Sequence, residues 1–484
     1  MTRLLRVFAA TVLAAGFVSI LTAQSVYPTG TTIFDPDRAW NGFTVLSPLG
    51  TQAVVVIDMN GTVVKRWDNF NNSAGGPARV LPGGHVIAPT GARPPHQESL
   101  ALVQRDFAGT NVWEFSRAEQ IEAPRQGGPG RGGPGRQGGP AVQGAQPAAP
   151  AGPAEMIWSV RQHHDWQRDN FPAGYYSPEF TPAVQGGNTL ILSHANRTQP
   201  KVADVLLEDD RIFEVDWNGK ILWDWIASDH VDEFGFSPEA RQAIRGGGGA
   251  GGRGGPARGF DWVHINSATY LGPNRWFDAG DKRFAPNHVM ISSREANFLA
   301  IIARDGSIVW RLGPDFNVSP ETRAIRQIIG QHHAHLIPKG LPGAGNLLVF
   351  DNGGAAGYGF ANPVAPTGRG TLARATSRVL EINPVTLELV WSYTNARFYS
   401  SNISGAQRLV NGNTLITAGA GGRLFEVTKE GAIVWEYIYP PAGGPNAANT
   451  VYRAYRVPFD WIPQLAAPKA LRVTPPALGE FRVP

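Results

Sequence analysis

Six of the chain's 11 histidines lie in three short segments, each opening an apolar strand: Gln162-His-His-Asp-Trp-Gln167, Asp261-Trp-Val-His-Ile-Asn-Ser267 and Gln331-His-His-Ala-His335. The surrounding repeats, which share the neighbourhoods of Gln167-Arg168, Ala334-His335 and Gln407-Arg408, are read as putting His164, His332 and Ser404 at one repeat position. His264 takes the corresponding place in its own unit, and Gly75 stands there in another. Residues at equivalent positions of a radial repeat point at one axis, so these imidazoles are expected to converge. Further polar residues end the neighbouring strands: Ser193-His194-Ala-Asn196, Ser292-Ser293-Arg294 and Asp351-Asn352. A guanidinium among imidazoles suits an anion, because its donors form a fixed fork and its charge is permanent. The alternative partner for Arg294 is a rim carboxylate such as Glu295 or Asp351. A divalent metal is the rival ligand, with His332-His333-Ala-His335 the tempting run. Two features weigh against it: no clear carboxylate accompanies the three histidines, and Arg294 would repel a cation. No metal and no other cofactor is expected.

The elements that must position these residues form a repeat. Six times a short apolar run is followed by a turn residue and then a tryptophan: Val54–Trp67, Leu100–Trp113, Ile212–Trp223, Leu299–Trp310, Val379–Trp391 and Leu424–Trp435. Four units share Gly-x-x-x-Trp, at Gly109, Gly219, Gly306 and Gly431, and the fifth turns at Asn383-Pro384. Each reads as an antiparallel hairpin. Ahead of each lies another strand, such as Gly187-Asn-Thr-Leu-Ile-Leu192 or Gly412-Asn-Thr-Leu-Ile-Thr417, and a short leading segment before that. Four strands make the blade of a β-propeller, whose leading strands line the central channel. The expected fold is therefore all-β: a six-bladed β-propeller over residues 40–462. The first unit lacks its leading strand and Val451–Val457 has no blade after it, so the C-terminal strand should close the ring and remove the open edges.

The chain has 484 residues, 14 of them Trp, no Cys and a formal charge of +4. Without cysteine, no disulfide can stabilise an exported form. The positive balance sits partly in Gly/Pro-rich loops, so nucleic acid is not an expected partner. Residues 1–23 read as a secretory signal, with basic Arg3 and Arg6 before an apolar Val7–Leu21. The mature chain would then be periplasmic or secreted with no membrane span; an uncleaved anchor is the alternative. Gly/Pro-rich insertions at 124–153 and 246–259 are expected to be disordered, and 463–484 forms a tail. Short inter-blade helices are predicted at Ser237–Arg245 and Ser319–Ile329, each with a Ser N-cap and Pro at the first helical position.

The segments Trp262-Val-His264-Ile-Asn266-Ser267, Ile291-Ser-Ser-Arg294, Gln331-His332 with Phe350-Asp-Asn-Gly353, and Tyr452-Arg-Ala454 resemble the bacterial arylsulfate sulfotransferase family. The resemblance covers most of the chain from about residue 40, with His-x-Asn-Ser and Ser-Ser-Arg its sharpest elements. It implies an exported propeller that moves a sulfuryl group from an aryl sulfate donor to a phenol acceptor without a nucleotide. It places the covalent histidine at His332. The supporting histidines fall at His264 and His164, with His163 the alternative in that doublet, and the supporting arginine at Arg294. Asn266, His163 and Tyr452 are the expected substrate-binding residues. Aromatics such as Trp166, Phe398 and Tyr399 could hold the ring or simply pack. Better-known members carry an extra N-terminal domain and a disulfide; the roughly 40 residues before the first blade leave no room for the former and this chain has no cysteine, so its oligomeric state is open. Two other readings stand beside this one, a metal-dependent hydrolase or oxidoreductase propeller and a non-catalytic binding propeller.

Overall fold

The computed structural model describes residues 29–71, 76–92, 96–123, 155–247, 259–354, 356–358, 373–441 and 449–475. The signal segment and most of both Gly/Pro-rich insertions lie outside these residues, as does Gly75.

The chain is all-β and arranged as a propeller of antiparallel four-strand runs. In a run the middle strands are buried on both faces and read as unbroken apolar stretches, for instance Ala53–Ile57 and Phe298–Ile302. The outermost strands face solvent on one side, and Val63–Asp68 keeps Trp67 buried between exposed neighbours. This is the pattern expected where sheets stack face to face around an axis. Apolar clusters fill each gap between successive runs. Met290 and Ile301 pack with Leu347 and Leu380, and Leu415 and Leu424 pack with Leu46 and Val55.

Six separate blades were expected, yet only four sheets of blade size stand alone among the described residues. Three have four strands and one has five. The remaining two runs are fused into one eight-stranded sheet, joined where Gln162 pairs with Ser99. The five-stranded sheet gains Gly30–Phe34, which pairs with Ile433–Ile438. That strand precedes residue 40, where the propeller was expected to begin. Val451–Val457 pairs antiparallel with Phe43–Pro48, so the C-terminal strand completes the sheet that the N-terminal strands begin.

The repeat tryptophans act at the joints. Each donates its indole N–H to a backbone carbonyl in or beside the turn of the next hairpin: Trp67 to Asp106, Trp113 to Trp217, Trp223 to Arg304, Trp310 to Pro384 and Trp391 to Lys429. Trp435 then donates to Met59, back in the first hairpin. The sequence spacing of these residues is thus a hydrogen-bonded cycle.

Of the two predicted helices, Pro238–Arg245 has Ser237 as its N-cap, accepting from the Ala240 amide. The other is shorter than expected, Pro320–Ile325, with a capping box between Ser319 and Thr322. It stops because Arg326 adopts φ 65°, which turns Ile328 and Ile329 into the core. No described helix is long and apolar enough to cross a membrane.

Candidate functional site

Strand pairing corrects the repeat alignment. The strands Thr189–Gln199 and Leu347–Asp351 start at matching places, and His332 pairs with the fourth residue, Phe350, whereas Gln162 pairs with the fifth, Ser193. His163 therefore matches His332, and His164 matches His333. Backbone conformation agrees, since His164 and His333 have φ of 55° and 53°. Gly405, not Ser404, stands opposite Thr417, the fourth residue of its partner strand. His264 lies one residue ahead of Ile265, which pairs with Ser293, the fifth residue of its partner. The mismatch arises because the leading strands bulge to different extents, with register shifts between Gln162 and Trp166, Ile265 and Ser267, and His332 and His335. Bulges re-aim side chains, and here residues that are not equivalent still converge.

The His164 and His264 ring centroids are 4.6 Å apart and edge to face. His163 and His164 meet through their Nδ1 atoms at 2.8 Å. The Arg294 backbone N–H donates to the His264 carbonyl at 3.1 Å, and the Arg294 side chain pairs with Glu295, the rim carboxylate named as its alternative partner. The Tyr452 ring lies 5.9 Å from that of His164, and its hydroxyl has no hydrogen-bond partner among the described residues. Burial pushes this phenol up from its ordinary value.

His332 is 2% exposed. Its Nδ1 faces Asn352 Oδ1 at 2.7 Å and the Gly330 carbonyl at 3.1 Å. Asn352 donates its amide to the Ser400 and Ile403 carbonyls at 2.8 and 3.0 Å, so its oxygen must be the atom that faces the ring. Both partners of Nδ1 are acceptors. The proton therefore sits on Nδ1, and the lone pair on Nε2. The preceding residue is clamped, since Gln331 donates to the Ser293 and Phe298 carbonyls and Asn266 donates to the Gln331 carbonyl at 2.7 Å. Burial holds the His332 imidazole well below its ordinary value; the Asn352 bond opposes this, while the charges of Arg294, Arg453 and His264 reinforce it. His164 is lowered by the same desolvation and by its neighbours His264, His163, His194 and His332. The four residues His164, His264, His332 and Arg294 thus form one group.

Arg453 was not anticipated. It is 1% exposed, donates to the Asn266 carbonyl at 2.7 Å, and lies 3.3 Å from Asp165, which also pairs with Arg79 at 2.7 Å. Two charged residues in the strand Val451–Val457 were the available signal.

Carboxylates do accompany the histidines, contrary to the reading of the sequence. Asp261 accepts from His264 Nδ1 at 2.5 Å. Asp210 lies 3.2 Å from His163 Nε2, and Glu98 lies 3.1 Å from His194 Nδ1. Burial would push the Asp261 carboxyl up, but His264, His194 and His163 outweigh it and hold it low. Burial works against a charged His194 too, yet Glu208, Glu98 and Asp261 raise it to about 9. The signal was present as Asp209-Asp210, two adjacent acids in the buried part of the strand Ala203–Val215.

The aromatics divide. Trp166 and Phe398 are core residues, Trp166 donating to the Pro77 carbonyl, while Tyr399 is 46% exposed. An open cleft lined by Gln167, Phe171, Tyr270 and Arg304 lies at the far ends of the same strands and contains none of the histidines.

No curated protein sequence matches this chain. Among solved structures it is similar to a protein of unknown function from Bacteroides caccae, at 10% identity and a TM-score of 0.41, over 86% of this chain and 99% of that one. It is also similar to the dihydro-heme d1 dehydrogenase NirN at 12% identity and a TM-score of 0.36, over 92% and 79%, and to a streptogramin B lyase at 11% and 0.34, over 87% and 86%. Scores this low carry no functional weight. The model of the arylsulfotransferase (ASST) family matches residues 167–439, a span that holds His264, Asn266, Arg294 and His332. With more than half its length matched, the chain belongs to the arylsulfotransferase (ASST) family, which implies a sulfotransferase acting on small aryl molecules.

Proposed function

We propose that this chain moves a sulfuryl group from an aryl sulfate to a phenol without a nucleotide, through a sulfohistidine on His332. The observation that carries the reading is the fixed tautomer of His332: a buried, neutral imidazole with its proton tied to Asn352 and its Nε2 lone pair free to attack. Nε2 would form a bond to sulfur as the bond from sulfur to the phenolic oxygen breaks, so the electron pair leaves with the phenolate. His264, whose Nδ1–H is held by Asp261, is the better equipped of the two supporting histidines to return a proton to that oxygen. His164 lies against it. The acceptor phenol reverses the step and regenerates His332, which predicts ping-pong kinetics. Arg294 and Arg453 would stabilise the charge on the sulfuryl oxygens, where positioning and electrostatics supply most of the acceleration. Asn266 contributes by fixing Gln331 beside the nucleophile. Tyr452, with His163 and His164, borders the space for the ring.

We also infer a ring of six blades. The eight-stranded sheet divides at its single joining pair, Gln162 with Ser99, and the tryptophan cycle passes through six hairpins before returning to the first. From the basic and apolar N-terminal sequence we infer that the working enzyme is periplasmic or secreted.

The decisive experiment is intact mass spectrometry after mixing the protein with an aryl sulfate alone. A gain of one sulfuryl group is expected, absent in His332→Ala and discharged by added phenol. Turnover with an unlabelled chain, or release of inorganic sulfate without transfer, would favour the metal-hydrolase reading. No turnover at all would favour a binding propeller.

A further inference from the structure

We propose that His163, His194 and Asp210 bind one divalent transition-metal ion of the zinc class, on the carboxylate side of the histidine cluster. One donor atom from each of the three lies within 4.8 Å of the others, and all three side chains are buried. Among the described residues none of His163 Nε2, His194 Nε2 and Asp210 Oδ1 makes a hydrogen bond of good geometry, although His163 Nε2 and Asp210 Oδ1 approach to 3.2 Å. The other polar atom of each residue is already engaged. His163 Nδ1 meets His164, His194 Nδ1 meets Glu98 Oε2, and Asp210 Oδ2 accepts the Ile265 amide at 2.9 Å. What is left over is one set of three neighbouring ligand atoms, all within 4.8 Å of one another. Burying such atoms without good hydrogen bonds is costly, and one cation would satisfy them together.

The surroundings have the chemistry of a metal site. A ligating histidine typically donates its second N–H to a carboxylate, and Glu98 plays that part for His194. Two imidazoles and a carboxylate suit zinc or a neighbouring first-row ion. Glu98 and Glu208, which lie 3.1 and 3.8 Å from His194 Nδ1, add negative charge beside the three ligands. The His163 and His194 rings are stacked at 3.8 Å, so seating the ion requires one ring to turn out of the stack. The adjacent group His96, Glu98 and Glu208 is a weaker candidate, because His96 Nδ1 is already paired with Glu208.

The site would also act on its neighbour. An ion on His163 Nε2 confines that ring's proton to Nδ1, which must then donate to His164 Nδ1. His164 would in consequence carry its proton on Nε2. None of these ligands is His332, so the ion and the sulfuryl acceptor occupy separate residues.

The full chain, stripped with chelator, is dialysed against zinc chloride at neutral pH and its metal content measured. A single zinc ion per chain is expected in the wild type and in His332→Ala, with affinity at least about tenfold weaker in Asp210→Asn and in His194→Gln. Zinc no higher than in the dialysis buffer would overturn the proposal. So would undiminished binding in Asp210→Asn, or binding lost only in His96→Ala, which would put the ion on the other group. Zinc-edge X-ray absorption on the wild type needs no variant: two imidazole nitrogens in the inner shell support the site, and one or none refutes it.

Discussion

His332 and His194 are both buried histidines of one cluster, yet their protonation is driven in opposite directions. Around His332 the charges that act on it include the guanidiniums of Arg294 and Arg453, and an amide rather than a carboxylate holds its Nδ1. Desolvation and positive neighbours then agree, and the imidazole stays neutral. Around His194 the neighbours are Glu98, Glu208 and Asp261, and they overcome the same desolvation. Equal burial therefore predicts nothing about charge; the sign of the first neighbours decides it. One half of the cluster is suited to hold a lone pair ready for an electrophile, the other to hold a cation or a proton.

The sharpest way to break this contrast is Asn352→Asp, which gives His332 the carboxylate partner that His194 has. A carboxylate favours the imidazolium, so His332 would be protonated at higher pH and lose its Nε2 lone pair there. The acid limb of kcat/KM, expected below pH 6.5 in the wild type, should move upward. Activity at pH 7 should fall by about 10–100-fold, the usual cost of a changed supporting partner. An unmoved limb would show that another group controls it.

A second consequence concerns stability. Burial is the main reason that His332, His333 and His335 are lowered, the last to about 3. Below pH 6.5 the unfolded chain binds protons at these residues that the native state does not, so stability is present above that pH and lost as pH falls. Each histidine contributes about 1.4 kcal/mol per pH unit in that window. The melting temperature should drop steadily between pH 6.5 and 5, and less steeply in His335→Gln. A flat profile would mean that the histidines are solvated in solution.

The two halves of the cluster also differed in how far the sequence revealed them. His332 and His264 stood out because titratable groups open strands that are otherwise apolar, and Arg294 because a charge directly follows the end of one. The tryptophan spacing exposed the hairpins for the same reason, as a rare residue at fixed intervals. The acidic half was hidden because Asp210 and His194 belong to the long hairpin Thr189–Gln199 with Ala203–Val215, whose pairing brings them together across strands. Spacing along the chain says nothing about that distance. The alignment of His164 with His332 failed because the leading strands bulge by different amounts, and bulges leave no mark in the pattern of apolar residues. Fusion of two blades rests on one backbone pair, Gln162 with Ser99, which no side chain encodes.

The smallest effect tests the outer rim against this polar interior. Trp435 is fully buried and donates at 2.9 Å to Met59, the bond that returns the tryptophan cycle to its start. Trp391 occupies the same place in the preceding hairpin but is only half-buried, with Lys429 as its acceptor at 2.7 Å. Replacing either by Phe removes the indole donor and part of the ring's packing. At Trp435 the Met59 carbonyl would be left buried and unpaired, costing about 1–3 kcal/mol; at Trp391 water can replace the donor, and the loss should stay below about 1 kcal/mol. Chemical denaturation of the two variants measures the difference. Equal losses would mean that the closing joint is no more constrained than the others, and that closure rests on the pairing of Val451–Val457 with Phe43–Pro48 instead.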